Sequence, residues 1–335
     1  MRRQRTRPLL VGLLVTSLTA FALAGCGGRQ EDAGTAAEEG SCEAGSGRIT
    51  IATGNSTGVY YVLGGGLAQV ISKNTDLKAS AAETGASVQN IQQLVAGDYD
   101  VAFSLADTAA DAVAGEADFE GKPADVRALS RLYLNATHVV ARTDAGIKSV
   151  ADMKGKVVST GSPKSGTEVI ANRLIEAAGL DPAADVDAQR LDLTKTIDGM
   201  KDGRIDALVW SGGLPTPAIT DLFRSLGDKV EFVDVMPLLP KMQEVNSIYA
   251  EGTIPLDTYQ TPADVKTIVV PNVLLVNADM ADSRACALTK VLFEHKADLE
   301  KVHPSAADIT EEQATDIDPI KMHPGAEKAL EELGG

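Results

Sequence analysis

The sequence has few aromatic residues, few histidines and cysteines, and little positive charge. Of its 335 residues, 4% are aromatic, three are cysteine and four are histidine, and 31 Lys and Arg stand against 47 Asp and Glu for a net charge of -16. No stripe rich in Lys and Arg appears beyond residue 7, which argues against nucleic-acid binding, because a protein that neutralises phosphates needs one. The histidines show no i, i+4 pairing, so no metal and no cofactor is expected (His138, His295, His303 and His323). The composition excludes disorder throughout and collagen-like repetition, and the length favours two lobes.

One uncharged apolar run, 9–23, follows four arginines near the start of the chain (Arg2, Arg3, Arg5 and Arg7). This arrangement is typical of an export signal, and the run is short for a bilayer span of ~20 residues. It ends in Leu23-Ala24-Gly25-Cys26, which resembles the lipobox that is cleaved before a lipidated cysteine. We therefore expect a signal peptide at 1–25 and a lipid anchor on Cys26 at the outer face of the cell membrane or the periplasmic side, with an ordinary uncleaved anchor as the alternative.

Residues 26–47 lack apolar periodicity and are predicted to form a flexible tether between lipid and domain. Cleavage leaves 27 basic and 47 acidic residues and two further cysteines, Cys42 and Cys286. In an oxidising compartment such a pair suggests a disulfide, although two unpaired thiols remain the alternative.

From residue 48 onward, strand-like runs alternate with longer helical patterns, which predicts an α/β fold with largely parallel sheets. The first unit is a strand at 48–53, a loop at 54–58 and a helix at 59–73. A second helix, with its apolar stripe at 88–95, ends at Gly97 before a strand at 99–104.

A similar order of elements returns about 107 residues later. The loop 54–58 has its counterpart at 161–166, and Gly97 to Phe103 has its counterpart at 203–209. Chance similarity between βα units is the alternative, but matching order and spacing favour two lobes built alike, with both loops facing one cleft. The runs 131–142 and 265–277 are long enough to cross between lobes, which assigns 48–138 plus 271–335 to lobe one and 139–270 to lobe two.

The loop 161–167 (GSPKSGT) is not a phosphate-binding Walker A loop, because Gly166 stands where the lysine is needed. Its hydroxyls and the free N–H groups of the following helix nevertheless form a candidate anion site (Ser162, Ser165 and Thr167). The alternative is that Ser165 or Thr167 only caps its own helix.

The loop 54–58 (GNSTG) matches G-x-S-x-G between a predicted strand and helix, so Ser56 is a hypothetical nucleophile of a secreted esterase. Against catalysis, no upstream segment supplies a second oxyanion donor, and the histidines that follow lie in charged helical stretches. The counterpart loop also lacks such a serine, so a shared binding role explains both loops better.

Two aromatic positions stand beside these loops. Of Tyr60 and Tyr61, at most one can face the cleft, because adjacent helix positions point about 100° apart, and we favour Tyr60. Trp210 ends a strand at the equivalent edge of lobe two, and core packing is the alternative for both. His138 lies in the first crossing run, either as a ligand donor or as a satisfied buried histidine.

Several ordered motifs resemble the TAXI solute-binding subunits of TRAP transporters over residues 48 to about 300. They are ITIATGNSTGVYY at 49–61, TGASVQN at 84–90, GDYD at 97–100, VADMKGK at 150–156, GSPKSGT at 161–167 and DGRIDA at 202–207. The resemblance implies a type II periplasmic-binding-protein-like clamp, with two lobes of mostly parallel sheet joined by two crossing strands. It also implies capture of a small organic anion such as glutamate, glutamine or 2-oxoglutarate, and delivery to an ion-gradient-driven permease.

The ligand-facing positions that the resemblance carries over are Asn55, Ser56, Thr57, Tyr60, Ser87, Ser162, Ser165 and Thr167, with Asp107 and Trp210 as further candidates. Asp107 suits a ligand ammonium or is simply an acid in the first turn of a helix, and Arg131 or Lys164 would assist an anion. A receptor of this kind is not an enzyme. The alternatives are a receptor for an ATP-driven uptake system, a sensor that feeds a kinase, and the esterase.

Overall fold

The computed structural model describes residues 41–334, so the export signal, Cys26 and the tether up to residue 40 lie outside the described residues. Within 41–334, the strands are β1 (Gly47–Ala52), β2 (Leu77–Ala82), β3 (Val101–Leu105), β4 (Val126–Arg142), β5 (Val157–Ser159), β6 (Asp187–Gln189), β7 (Ala207–Gly212), β8 (Val230–Phe232), β9 (Ala250–Ile254) and β10 (Val265–Asn277). The helices are α1 (Val59–Asn74), α2 (Ser87–Val95), α3 (Ala106–Ala114), α4 (Gly166–Ala177), α5 (Leu193–Lys201), α6 (Pro217–Leu226), α7 (Leu239–Val245), α8 (Leu256–Tyr259), α9 (Asp282–Glu294), α10 (Lys296–Val302) and α11 (Pro324–Gly334).

The strands form one hydrogen-bonded sheet in the order β2-β1-β3-β10-β4-β7-β5-β6, with β8 beside β4 and β9 beside β10. We call β2, β1 and β3 with their helices the first half and β7, β5 and β6 with theirs the second half. Strands within each half are parallel, whereas β4 and β10 run antiparallel to each other and to their neighbours. The sheet is therefore mixed, and each half has the same local order.

The first half follows the apolar pattern of its sequence. In β1, Ile49 and Ile51 alternate inward and are buried, and the predicted helix at 59–73 is observed as α1, with its apolar stripe buried. All five residues of β3 are buried, since helices cover both faces of the central strands. The sequence pattern does not predict β2, because LKASAA is rich in small residues and lies half-exposed at the sheet edge.

The sequence repeat corresponds to a repeated hydrogen-bond pattern. The Asp100 carboxylate accepts from Thr50 N at 2.7 Å, and the Asp206 carboxylate accepts from Val157 N at 2.9 Å. The glycine three residues before each aspartate has a positive φ, 78° at Gly97 and 74° at Gly203, which favours glycine at both turns. The two halves thus share the same anchor, at Thr50 within β1 and at Val157, the first residue of β5.

The strands β4 and β10 pass through both halves. The predicted run 265–277 coincides with β10, while β4 begins five residues before the predicted run 131–142. The first part of β4 pairs with the second part of β10, and β4 then reaches β7 through the pairs Ala136–Gly212 to Ala141–Ala207. These strands connect the halves as predicted from their length.

A disulfide and a pair of packed helices hold the N-terminal and C-terminal ends of the described chain. A disulfide joins Cys42, just before β1, to Cys286 in α9, and α9 packs against α11. Over residues 41–334, the helices are too short or too polar for any of them to span a bilayer.

Candidate binding cavity

A cavity lies between the two halves, where the carboxyl ends of the parallel strands meet the helices that follow them. About 420 Å³ of space between atoms lies at this site, including space at its mouth that is open to solvent. Its lining comes from both halves and from β4: Gly54, Asn55, Gly58, Val59, Tyr60, Gly85, Ala86, Ser87, Leu105, Tyr133, Asn135, Ser165, Gly166, Thr167, Trp210, Ser211, Gly212 and Gly213. Ligands of open α/β sheets bind at such strand ends, so this is the candidate functional site.

A chain of hydrogen bonds forms the floor of the cavity. The Tyr60 hydroxyl donates to Asn272 Oδ1, and Asn272 Nδ2 donates to Tyr133 O and to Asn135 Oδ1, both at 2.9 Å. Asn135 Nδ2 lies 3.4 Å from Ser211 Oγ, so the chain runs from α1 through both crossing strands to β7. Burial raises the pKa of Tyr60 well above its ordinary value, which keeps its hydroxyl neutral and able to donate.

The Tyr133 hydroxyl differs from the other polar groups at the floor of the cavity, which are hydrogen-bonded. Tyr133 is 1% exposed, and its hydroxyl has no hydrogen-bond partner among the described residues. Burial raises the pKa of this hydroxyl well above its ordinary value, so it carries its proton. A buried, unpartnered hydroxyl costs about 1–3 kcal/mol, and a ligand atom in the cavity would remove that cost. Its ring packs against Gly213, where an added Cβ would come within 2.8 Å of the ring.

Three helices begin at the cavity wall: α1, α2 and α4. No side chain caps α1 at Gly58 or α2 at Ala86, whereas Ser165 caps α4 by accepting from Glu168 N at 3.0 Å. Ala86 has a φ of 84°, a conformation that favours glycine, so the backbone at this wall is strained. The positive ends of three helix dipoles therefore lie at one space, while two first-turn N–H groups, Gln89 N and Glu168 N, donate to Lys164 O and Ser165 Oγ.

Two hydroxyl groups of the lining hold helix starts against neighbouring strands at the cavity wall. Ser87 Oγ accepts from Leu105 N at 3.0 Å, and Thr167 Oγ1 accepts from Ser211 N at 3.2 Å. Each bond ties the start of a helix to the end of the neighbouring strand. The Ser87 hydroxyl also interacts with the Tyr60 hydroxyl, so it links the start of α2 to α1.

Charged side chains are absent from the described lining, which contains no Asp, Glu, Lys, Arg or His. The two cations considered from the sequence are engaged elsewhere: Arg131 forms an ion pair with Asp316, and Lys164 Nζ donates to Gln92 at 2.9 Å. An anion in this cavity would be bound by dipoles and hydroxyls rather than by a lysine or arginine.

Asp107 is placed in a buried ionic cluster and not in the cavity lining. Arg173 donates to Asp107 at 3.3 Å, to Asp111 at 2.6 Å and to the Tyr249 hydroxyl at 3.0 Å, and that hydroxyl donates to Asp107. The Asp107 carboxylate is fully buried, so it is not available to a ligand ammonium as the sequence suggested. Burial raises the pKa of Asp111 to about 6, and the cluster joins α3 to α4 across the two halves.

The two repeated loops meet at the mouth of the cavity. Asn55 Nδ2 donates to Ser162 Oγ at 3.1 Å, and Leu193 N donates to Asn55 Oδ1 at 3.1 Å. Beside them, Gln89 N donates to Lys164 O at 3.0 Å. The loops therefore face one cleft, as the repeat suggested, and the cleft is closed in this structure.

Six of the sequence-derived candidates line the cavity: Asn55, Tyr60, Ser87, Ser165, Thr167 and Trp210. Ser162 contacts Asn55 instead, and Ser56 and Thr57 face an adjoining groove with Thr194. Trp210 donates from Nε1 to Thr216 Oγ1 at 3.3 Å and lies against Gly58.

Sequence reasoning missed the contributions of β4 and β10, namely Tyr133, Asn135 and Asn272. The available signal was period-2 alternation within the predicted crossing strand, in which Tyr133 and Asn135 share a face. The same strand places His138 in the core, where it contacts Ala136 O and the Tyr259 hydroxyl, both at 2.9 Å. Burial lowers the pKa of His138 to about 4, so it is a neutral, satisfied buried histidine.

The Ser56 environment gives no support to the hydrolase hypothesis. Ser56 N donates to Glu83 at 2.9 Å, and the rings of His303 and His323 contact the backbone oxygens of Pro215 and Met280 instead of a nucleophile. In the described chain, the candidate metal-ligand group Cys42, Cys286 and Glu332 includes both disulfide sulfurs, which are not free to bind a metal.

Comparison with solved structures shows the fold. A protein of Bordetella bronchiseptica RB50 is 18% identical, with coverage of 85% of this chain and 88% of that chain and a TM-score of 0.54. The binding protein component of an ABC phosphonate transporter from Pseudomonas aeruginosa is 12% identical, with coverage of 79% and 80% and a TM-score of 0.51. The prediction of an α/β, periplasmic-binding-protein-like fold is confirmed. Residues 51–334 match the model of the NMT1-like family. Because this match covers most of the chain, the protein belongs to the NMT1-like family.

Proposed function

We propose that the protein is an extracytoplasmic solute receptor of a TRAP-type transporter, which captures a small organic anion and delivers it to an ion-gradient-driven permease. The observation that carries the proposal is the cavity between the two halves. Its lining brings together three helix N-termini, several hydroxyls and a buried tyrosine hydroxyl that has no partner in the described protein. Such a lining suits a small polar solute that contacts both halves.

Capture would proceed by closure of two lobes, 48–138 plus 271–335 and 139–270, about β4 and β10. Contacts such as Asn55 with Ser162 and Gln89 with Lys164 exist only when the halves are together. A ligand that touches both halves would favour this closed form, and the permease would recognise it.

The proposed location follows from the N-terminal sequence. A signal peptide at 1–25 and a lipid on Cys26 would hold the receptor at the outer face of the membrane through the tether. The disulfide between Cys42 and Cys286 is consistent with an oxidising compartment.

The assignment to a TRAP-type system is supported by the ordered motifs between residues 49 and 207 that resemble TAXI subunits. The fold alone does not distinguish this from an ATP-driven system, since a phosphonate-transporter binding protein shares it. We propose no catalytic role, because a binding role explains both repeated loops and the cavity they close.

Ligand binding is tested first with the full chain in detergent, by a thermal-shift screen against carboxylic acids, amino acids and sugars, and by native mass spectrometry for a retained solute. A ligand at 100 times its dissociation constant stabilises the folded state by ~2.7 kcal/mol, which gives a clear rise in the melting temperature. If no solute of any class binds or is retained, the receptor proposal is wrong.

The transporter class is tested by uptake into proteoliposomes that contain a TRAP-type permease from the same genome. Uptake that needs this receptor and an ion gradient, but no ATP, is expected. A requirement for ATP would instead assign the receptor to an ATP-driven system.

A further inference from the structure

We infer that the solute carries a single negative charge and no positive charge, and that it is a small monocarboxylic acid with a neutral oxygen near the carboxylate. This inference rests on the proposed function and narrows its ligand. It starts from the cavity lining, which offers hydroxyls, amides and N–H groups but no charged side chain among the described residues.

The positive potential in the cavity comes from helix ends. Helices α1, α2 and α4 begin at the lining, and each N-terminus acts as roughly +0.5 elementary charge. Together they supply roughly +1.5 elementary charges, which is enough for one carboxylate and less than two carboxylates need. A second carboxylate would be desolvated without a cation beside it, and an unpaired buried charge is strongly unfavourable. The geometry therefore selects against dicarboxylates such as 2-oxoglutarate.

The neighbouring ionic cluster does not change this balance. It contains two acids and one base, Asp107, Asp111 and Arg173, so it supplies no net positive charge for a second carboxylate. Its carboxylates contact Arg173, and Asp107 also accepts from Tyr249, so they are not free for an α-ammonium group. Amino acids thus lack the anionic partner that their ammonium needs once it is desolvated.

The Tyr133 hydroxyl points to the neutral oxygen. It is buried, lies in the lining and keeps its proton, so it is a donor that no described protein group satisfies. Asn135 lies two residues along the same strand face and adds an amide whose Nδ2 makes one long bond of 3.4 Å. A 2-oxo or 2-hydroxy oxygen next to the carboxylate would meet these groups while the carboxylate faces the helix N-termini.

A charge series on one carbon skeleton tests the inference by titration calorimetry with the full chain. We expect 2-oxopentanoate to bind at least tenfold more tightly than 2-oxoglutarate, norvaline and 2-pentanone. Tighter binding of 2-oxoglutarate or norvaline would overturn the charge assignment but leave the receptor function intact. Binding of a neutral sugar alone would do the same, whereas failure of every solute class would remove the receptor function itself.

Variants that add one negative charge give an independent test. Asn135→Asp changes the charge of the lining with almost no change in shape, and Ser87→Asp places an acid at the start of α2, where helices tolerate one. Each is expected to weaken 2-oxopentanoate binding at least tenfold. The control is Asn74→Asp, which adds the same charge at the other end of α1, about 24 Å away for 16 residues at ~1.5 Å each, and is expected to change affinity less than twofold. Equal affinity in folded Asn135→Asp or Ser87→Asp would overturn the inference.

Discussion

Replacement of Tyr133 by Phe should move stability and ligand affinity in opposite directions. The hydroxyl is buried without a partner in the described residues, so the protein without ligand bears the cost of its lost hydration. Removing the oxygen leaves the ring in place and should remove that cost. In the complex, the same oxygen would bind the ligand, and its loss should weaken binding.

The expected magnitudes follow from hydrogen-bond energetics. An unsatisfied buried hydroxyl costs about 1–3 kcal/mol, so Tyr133→Phe should raise the free energy of unfolding by up to that amount, or by about 2–4 °C in melting temperature for each kcal/mol. Loss of one hydrogen bond to the ligand costs about 0.5–1.5 kcal/mol, or about 1.5–3 kcal/mol if its acceptor is charged, which weakens binding from about twofold to more than tenfold.

Denaturant unfolding without ligand and titration with the solute found by the screen measure the two effects. Tyr259→Phe is the matched control, because the Tyr259 hydroxyl is also buried but accepts from Thr216 N and contacts His138 Nε2, both at 2.9 Å. It should lower the free energy of unfolding. If Tyr133→Phe also destabilises the free protein and leaves affinity unchanged, the hydroxyl has a structural role and the reasoning is refuted.

Three further changes test the ionic cluster, the disulfide and the contact between the repeated loops. Because burial raises the Asp111 pKa from 3.8 to about 6, its contribution to stability is full below pH 4 and is lost as the pH rises through 6. Asp111→Asn should thus have the same melting temperature as the wild type at pH 4 and a higher one at pH 8, where its free energy of unfolding should be larger by up to about 3 kcal/mol. A lower melting temperature than the wild type at pH 8 would contradict this. The Cys42–Cys286 bond spans 244 residues, so Cys42→Ser should lower the free energy of unfolding by about 2–5 kcal/mol in guanidinium titrations, and a reductant should affect only the wild type. Asn55→Ala removes the bonds to Ser162 and Leu193 and should weaken ligand binding by about 1–2 kcal/mol, with a larger radius of gyration in X-ray scattering; an unchanged radius and affinity would count against closure at this contact.

The parts of the fold that were predictable are those with a strong local pattern. Alternation in β1, the apolar stripe of α1 and the length of β10 each specify an element by themselves. The edge strand β2 has no such pattern, because LKASAA packs few large side chains and owes its conformation to pairing with β1. Its existence is decided by tertiary contacts that a single sequence does not display.

The candidate site was predictable where it consists of loops and helix starts, because glycine-rich turns after strands mark cavity walls. Asn55, Tyr60 and Thr167 are predicted on this basis. Tyr133 and Asn272 are not predicted, because their roles depend on how β4 and β10 lie beside each other. Asp107 was a candidate ligand contact from the sequence. Its actual partner, Arg173, lies 66 residues away in sequence, so the local pattern does not reveal it.

The contacts across the mouth of the cavity bear on how closure is controlled. The bonds from Asn55 to Ser162 and from Gln89 to Lys164 are neutral hydrogen bonds, each worth about 0.5–1.5 kcal/mol. A shift from 1% to 99% closed needs about 5.5 kcal/mol of differential binding, which is more than two or three such bonds provide. The ion pairs of Arg173 with Asp107 and Asp111 also join the halves, and a ligand that touches both halves would add to these contacts in favour of the closed form. The lining allows such a ligand, since α1 and α2 approach it from the first half and α4 and β7 from the second. Under the proposed receptor function, a solute that reaches only one wall would bind without closing the cleft, and that complex would not present the closed surface to the permease.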